Sequence, residues 1–190
     1  ANTMYRRNFL INVGGFRQDR ATEDISIAWD HTFMNVVPKF APDIVFHMNV
    51  PESFHDLYRQ RTRWAQGGTE VWLTNFTKII THPWRFRFVI PMLVDTTLSI
   101  VWSFFFWITS LIFVSLMTSF FLTGNYERVW HGIVMSMIFV SFQLIAGLFQ
   151  VLAALILDFN GTKLRYFAFS PLYLLFTWLV NPLTIVTTFV

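Results

Sequence analysis

The chain contains no cysteine, which excludes disulfides, thiolate metal sites and a thiol nucleophile while leaving the compartment open. Charge is scarce too: Asp, Glu, Lys and Arg make up 13% of the 190 residues, against 54% hydrophobic and 19% aromatic. An evenly water-facing surface cannot be built from so little charge, so part of the chain belongs in lipid. The basic excess is only +3 and does not read as nucleic-acid binding. A basic segment beside apolar runs points to lipid headgroups instead. Also lacking is a leader with a charged start and a short apolar core. The chain opens on Ala1-Asn2-Thr3-Met4 and reads as the later part of a longer protein.

What charge there is lies unevenly. Residues 1–87 carry 11 of the 14 Lys and Arg and 8 of the 11 Asp and Glu, which divides the chain into a polar head, 1–87, and a membrane region, 88–190. Three uncharged stretches, 98–121, 132–157 and 167–190, reach the roughly 20 apolar residues that a membrane helix needs. Ahead of them, 88–97 is apolar but holds Pro91 and Asp95, and reads as an interfacial lead-in. Lys78, Arg85 and Arg87 precede the first span and Lys163 and Arg165 follow the second. By the positive-inside rule this puts the head on the cytoplasmic side.

Within the head the pattern is mixed, giving the expectation of an α+β membrane protein. A short helix closes at Gly14-Gly15, a second starts with Thr22 as N-cap, and 39–50 reads as strand or loop. Ser53-x-x-Asp56 resembles a capping box, opening a helix expected to stop at Gly67-Gly68. A second amphipathic stretch, 69–80, then leads to the bilayer.

Two places in the head have the residue types for chemistry. On the helix after Ser53, Gln60, Arg63 and Trp64 stand at i, i+3 and i+4 and share a face, while Arg61 is turned about 100° away. A guanidinium holds phosphate oxygens, an indole stacks on the C–H side of a sugar ring and an amide fixes a hydroxyl, so the face suits a sugar nucleotide. It equally suits a basic amphipathic helix resting on anionic lipid, with Trp64 as interfacial anchor. Earlier, Glu23 and Asp24 fall in the first turn of a helix capped by Thr22, where the dipole favours negative charge by roughly 0.3–1 kcal/mol. An ionised Asp24 can act as a general base, or the pair can simply stabilise the helix. His47, His55 and His82 have no ligand spacing. Asp95 reads as interfacial rather than channel-lining, and Trp102, Trp107 and Trp178 as lipid-facing or packed between helices rather than stacked on a sugar chain in a pore, whereas Gln143, Gln150 and Asn181 inside the spans point to a partner helix or a wet cavity.

Taken together and in this order, Thr22-Glu23-Asp24 and Gln60-Arg61-Thr62-Arg63-Trp64 resemble the TED and Q-x-x-R-W motifs of the processive family 2 glycosyltransferases of membranes. That family includes the poly-N-acetylglucosamine, hyaluronan and cellulose synthases. The flanking stretches 5–16 and 50–73 are similar as well, and continuation through Arg63-Trp64-Ala65-Gln66-Gly67-Gly68 favours the poly-N-acetylglucosamine branch. The resemblance implies the acceptor-side part of a GT-A-like domain followed by an interface helix and three spans. It implies transfer from a UDP-sugar donor to a polysaccharide acceptor, with inversion, export through the spans and a setting in the bacterial cell membrane. By the same resemblance Asp24 is the general base and Glu23 supports that corner, together with Thr22. Trp64 is the platform for the acceptor sugar, Gln60 and Arg63 lie near the donor diphosphate, and Arg61 is a weaker candidate. Mg²⁺ or Mn²⁺ assists departure of UDP in such enzymes, yet the D-x-D ligand that should precede TED occurs nowhere here. The chain alone is therefore expected to be inactive. A small membrane accessory subunit is a further possible partner. Hyaluronan-type or cellulose-type synthesis and a non-catalytic lipid-docking or partner-docking protein stand as alternatives.

Overall fold

A computed structural model describes residues 3–36, 38, 39, 41, 44, 49–157 and 162–189. The described chain is almost wholly helical. In order it runs α1 (Arg7–Asn12), α2 (Glu23–Phe33), α3 (Phe54–Thr81), α4 (Ile90–Leu122), α5 (Tyr126–Leu157), a 3₁₀ segment (Thr162–Phe169) and α6 (Ser170–Thr187). No strand occurs among the described residues, so the α+β expectation is not supported. The stretch 39–50, where a strand was anticipated, lies largely outside the described residues. α2 is helical because Ile25, Trp29 and Phe33 recur every fourth residue, which puts all three on the one face that packs into the core.

Packing divides the chain into two units, Ala1–Phe104 with Asn181–Val190, and Phe105–Val180. The first holds the polar helices and a core of Trp29, Val71, Ile79, Val89 and Leu93, with Ile25, Phe33, Trp72, Phe76 and Phe86 packed around it. Trp29 comes from α2, Val71 and Ile79 from α3, and Val89 and Leu93 from the turn into α4, so the start of α4 belongs to the same core. A hydrogen bond from Trp72 Nε1 to Thr97 Oγ1, 2.8 Å, crosses from α3 to α4. At the chain's end Thr188 Oγ1 donates to Thr69 Oγ1 at 3.1 Å and Phe189 lies edge-on to Phe104.

α1 ends as the sequence indicates: Gly14 and Gly15 have φ of 88° and 81°, and the Gly15 N–H bonds back to the Leu10 carbonyl at 2.9 Å. L side chains disfavour that left-handed backbone, hence glycine. α3 begins as expected too. Ser53 Oγ accepts the Asp56 N–H at 3.1 Å and donates to the Asp56 carboxylate at 2.7 Å.

α3 does not end where the glycine pair reads as a stop. It continues for 28 residues, about 42 Å, through Gly67 and Gly68, and the supposed second amphipathic stretch is its C-terminal half. The reason lies at Gly67, where a Cβ would come within 2.7 Å of Thr22 Cβ and Cγ2 and collide with Thr22 Oγ1. This glycine serves a close approach rather than a turn.

The second unit contains the later part of α4, all of α5 and the beginning of α6. Asn125 N–H bonds to the Phe120 carbonyl at 2.8 Å to end α4, and Asn125 Oδ1 accepts the Arg128 N–H at 3.3 Å to start α5. Gly132 lies against Met117, and Gly147 against Leu174, both too close for a Cβ without adjustment. Among the described residues, three helices are long and apolar enough to cross a membrane: Ile90–Leu122, Tyr126–Ile156 and Leu164–Thr187. The first two begin earlier than the apolar runs at 98 and 132. Pro91 is only the second residue of α4, where its missing N–H breaks no helical bond. The supposed lead-in is therefore the first turns of the helix.

Candidate functional site

The backbone puts Thr22 at the N-cap of α2, with φ −136° and ψ 111°, but its side chain makes no cap bond. It is 1% exposed, turned onto Gly67, and its hydroxyl is buried without a hydrogen-bond partner. The expected capping role of Thr22 is thus replaced by packing. Glu23 is exposed and Asp24 half-buried, both in the first turn of α2. The Asp24 Oδ1 accepts the Ile25 N–H at 2.9 Å. Burial raises its carboxyl, and hydrogen bonds from the backbone N–H groups of Ile25 and Asp24 itself act in the opposite sense.

Around this corner the chain folds back on itself. Tyr5 stacks tilted on His31 with ring centroids 5.2 Å apart and meets Phe16 edge-on at 5.7 Å. Burial, and to a lesser degree the negative charge of Asp24, raise the Tyr5 hydroxyl against the lowering bond with Thr3. Arg17 Nε bonds the Asp30 carboxylate at 3.2 Å, fastening the approach loop to α2.

On α3 the stripe Gln60, Trp64, Gly67, Val71 follows the 3–4 spacing of one helix face, the face on which Thr22 sits. Trp64 is one turn, about 4.5 Å of rise, before Gly67. Gln60 is half-buried, and Arg63 and Trp64 are exposed. The structure therefore seats the Thr22-Glu23-Asp24 turn one helical turn from Trp64 on the same α3 face. Arg61 departs from expectation. Its Cα points elsewhere, but its guanidinium lies over the Trp64 ring, 5.1 Å from the centroid, because a long side chain at i reaches a ring at i+3.

Two residues that sequence reasoning passed over complete the arrangement. Glu70 Oε2 accepts the Ala21 N–H at 3.1 Å, and Glu70 Oε1 accepts from Gln66 Nε2 at 2.8 Å. The available signal was spacing: Glu70 is seven residues after Arg63, two turns along the same side. On another side of α3, Thr62, Gln66, Thr69, Glu70 and Leu73 with Thr187 and Thr188 line an open hollow of about 310 Å³. Neither Asp24 nor Trp64 lines it.

Among the described residues, no three His, Asp or Glu side chains converge as a metal site. His55 and His82 are exposed, and His47 lies outside the described residues.

The glycosyl transferase family group 2 model matches residues 1–190. The chain belongs to that family. Among curated proteins it is similar to the poly-beta-1,6-N-acetyl-D-glucosamine synthase of Staphylococcus aureus strain COL, 35% identical over 100 residues, covering 53% of the chain and 24% of that protein. It is 38% identical over 78 residues to the synthase of the same name from Staphylococcus epidermidis, covering 41% of the chain and 19% of the relative. The match thus spans about a quarter or less of these relatives' length. No solved structure matches.

Proposed function

We propose that these residues form the acceptor side of a membrane polysaccharide synthase that transfers N-acetylglucosamine from UDP-N-acetylglucosamine to a growing β-linked polymer. Family membership and similarity to proteins named poly-beta-1,6-N-acetyl-D-glucosamine synthase support the class of reaction. The observation that carries the reading is the seat of Thr22 on Gly67, which fastens the turn bearing Asp24 to the helix face bearing Trp64.

In this reading Trp64 stacks on the terminal acceptor sugar, with Arg61 backing its ring. Asp24 takes the proton from the acceptor hydroxyl, and the freed oxygen attacks the anomeric carbon from the face opposite UDP, which departs with the electron pair of the broken C–O bond, inverting the centre. Glu23 and Thr22 hold that corner, and Gln60 and Arg63 reach the diphosphate. In the same reading Mg²⁺ or Mn²⁺ belongs to donor-side residues, and this chain alone is inactive. The head faces the cytoplasm of a bacterial cell and the spans carry the polymer outward. Exposed Trp84 beside Arg85 and Arg87, ahead of α4, supports a seat at the lipid interface.

The decisive experiment is Asp24→Asn in the intact protein in membranes, supplied with UDP-N-acetylglucosamine. Polymer formation is expected to disappear while UDP-sugar binding persists, and normal polymer yield from this variant would remove Asp24 from the role of base. Running UDP-glucose and UDP-glucuronic acid in parallel separates this reading from cellulose-type and hyaluronan-type synthesis.

A further inference from the structure

One side chain outside both motifs ties them together. Glu70 stands on α3, ten residues after Gln60, and its carboxylate spans two donors. One is the backbone N–H of Ala21, 49 positions away in sequence and immediately before Thr22-Glu23-Asp24. The other is the Gln66 side chain, one turn back on α3. The Ala21 N–H lies just outside α2 and has no helical partner there. A carboxylate acceptor makes a stronger bond to it than a neutral one. Next to this bond, Thr22 rests on the bare backbone of Gly67. The turn therefore has two attachments to α3, a steric one at Gly67 and a polar one at Glu70, three residues apart. Two attachments fix both the distance of the turn from α3 and its register along the helix.

We propose that Glu70 is a positioning residue that sets the register of the Asp24 turn against the Trp64 face of α3, with Gln66 steadying its carboxylate. This rests on the functional reading above. Glu70 touches no reacting group. Its contribution is geometric, and a displacement of about 1 Å between base and acceptor platform costs on the order of 100-fold in rate.

The test compares Glu70→Ala, Glu70→Gln and the unaltered intact protein in lipid nanodiscs. Polymer synthesis from UDP-N-acetylglucosamine gives kcat and KM, and backbone amide exchange is followed on peptides covering 16–22 and 25–33. Glu70→Ala is expected to lower kcat by about 10- to 100-fold with donor KM unchanged. It should also speed exchange at 16–22 and leave 25–33 protected, which certifies that α2 is folded. Glu70→Gln retains a carbonyl acceptor for Ala21 and is expected to recover most of both losses. Unchanged exchange at 16–22 in Glu70→Ala would overturn the proposal, as would faster exchange with undiminished kcat, or no recovery by Glu70→Gln. If the unaltered protein made no polymer from this donor, the functional reading would fail, while the exchange arm would still decide whether Glu70 holds the turn.

Discussion

α3 and α5 are nearly equal in length, 28 and 32 residues, yet they are held by different physics. α3 is amphipathic. It caps itself at Ser53, buries Gly67, Thr69, Val71 and Ile79 against its surroundings and leaves Arg63 and Trp64 exposed. α5 exposes Phe139, Phe142, Ile145 and Phe149 on one broad side, beside exposed Gln143 and Gln150, and a helix with so apolar a side suits hydrocarbon because its backbone groups are satisfied within the segment. Form in α3 comes from side-chain fit, and in α5 from the solvent.

Substitutions in the two helices and their neighbours should separate these causes. The largest effect is expected from Trp29→Ala, which hollows the core that α2 shares with α3: a loss of about 3–5 kcal/mol, read as a fall in the thermal midpoint of the detergent-solubilised protein. A midpoint indistinguishable from the original would mean that this core does not hold the head together. Next comes Phe142→Arg in the middle of α5, costing about 3 kcal/mol of insertion free energy. A membrane-insertion assay of the segment checks it, and unimpaired insertion would mean that Phe142 faces water or protein rather than lipid. Gly67→Ala should cost about 1–3 kcal/mol by forcing Thr22 off α3, visible as faster amide exchange at 16–22, whereas Gly68→Ala meets nothing and should be neutral or stabilising. Ser53→Ala should cost about 1 kcal/mol and show as fraying of α3 confined to its first turn. Smallest of all is Phe142→Ala, where a methyl group replaces a ring in contact with lipid, with little change in midpoint. A large change there would erase the contrast between the helices.

Legibility in the sequence followed the same division. The long apolar helices could be read because they carry one plain mark, a long apolar run, and α4 and α5 begin ahead of those runs because Pro91 and Tyr126 are compatible with first turns. The head was read correctly where a local rule operates, at the Gly14-Gly15 stop and the Ser53 cap. It was misread where a distant residue decides. Gly67 reads as a terminator until Thr22 is seen against it, Thr22 reads as a cap until its side chain is seen packed, and Arg61 reads as divergent until its side chain is laid over Trp64. The motif residues stand out by their types and order, but Glu70 does not, because its bond is to a backbone N–H 49 positions earlier.

The unbroken course of α3 has a mechanical corollary. Because the helix runs uninterrupted through the glycine pair, the Trp64 indole, the notch that receives Thr22 and the carboxylate gripping Ala21 ride on a single strut. Tilting that strut would carry the Asp24 turn and Trp64 along as one body, so adjusting the gap between them requires α2 to lift out of the notch.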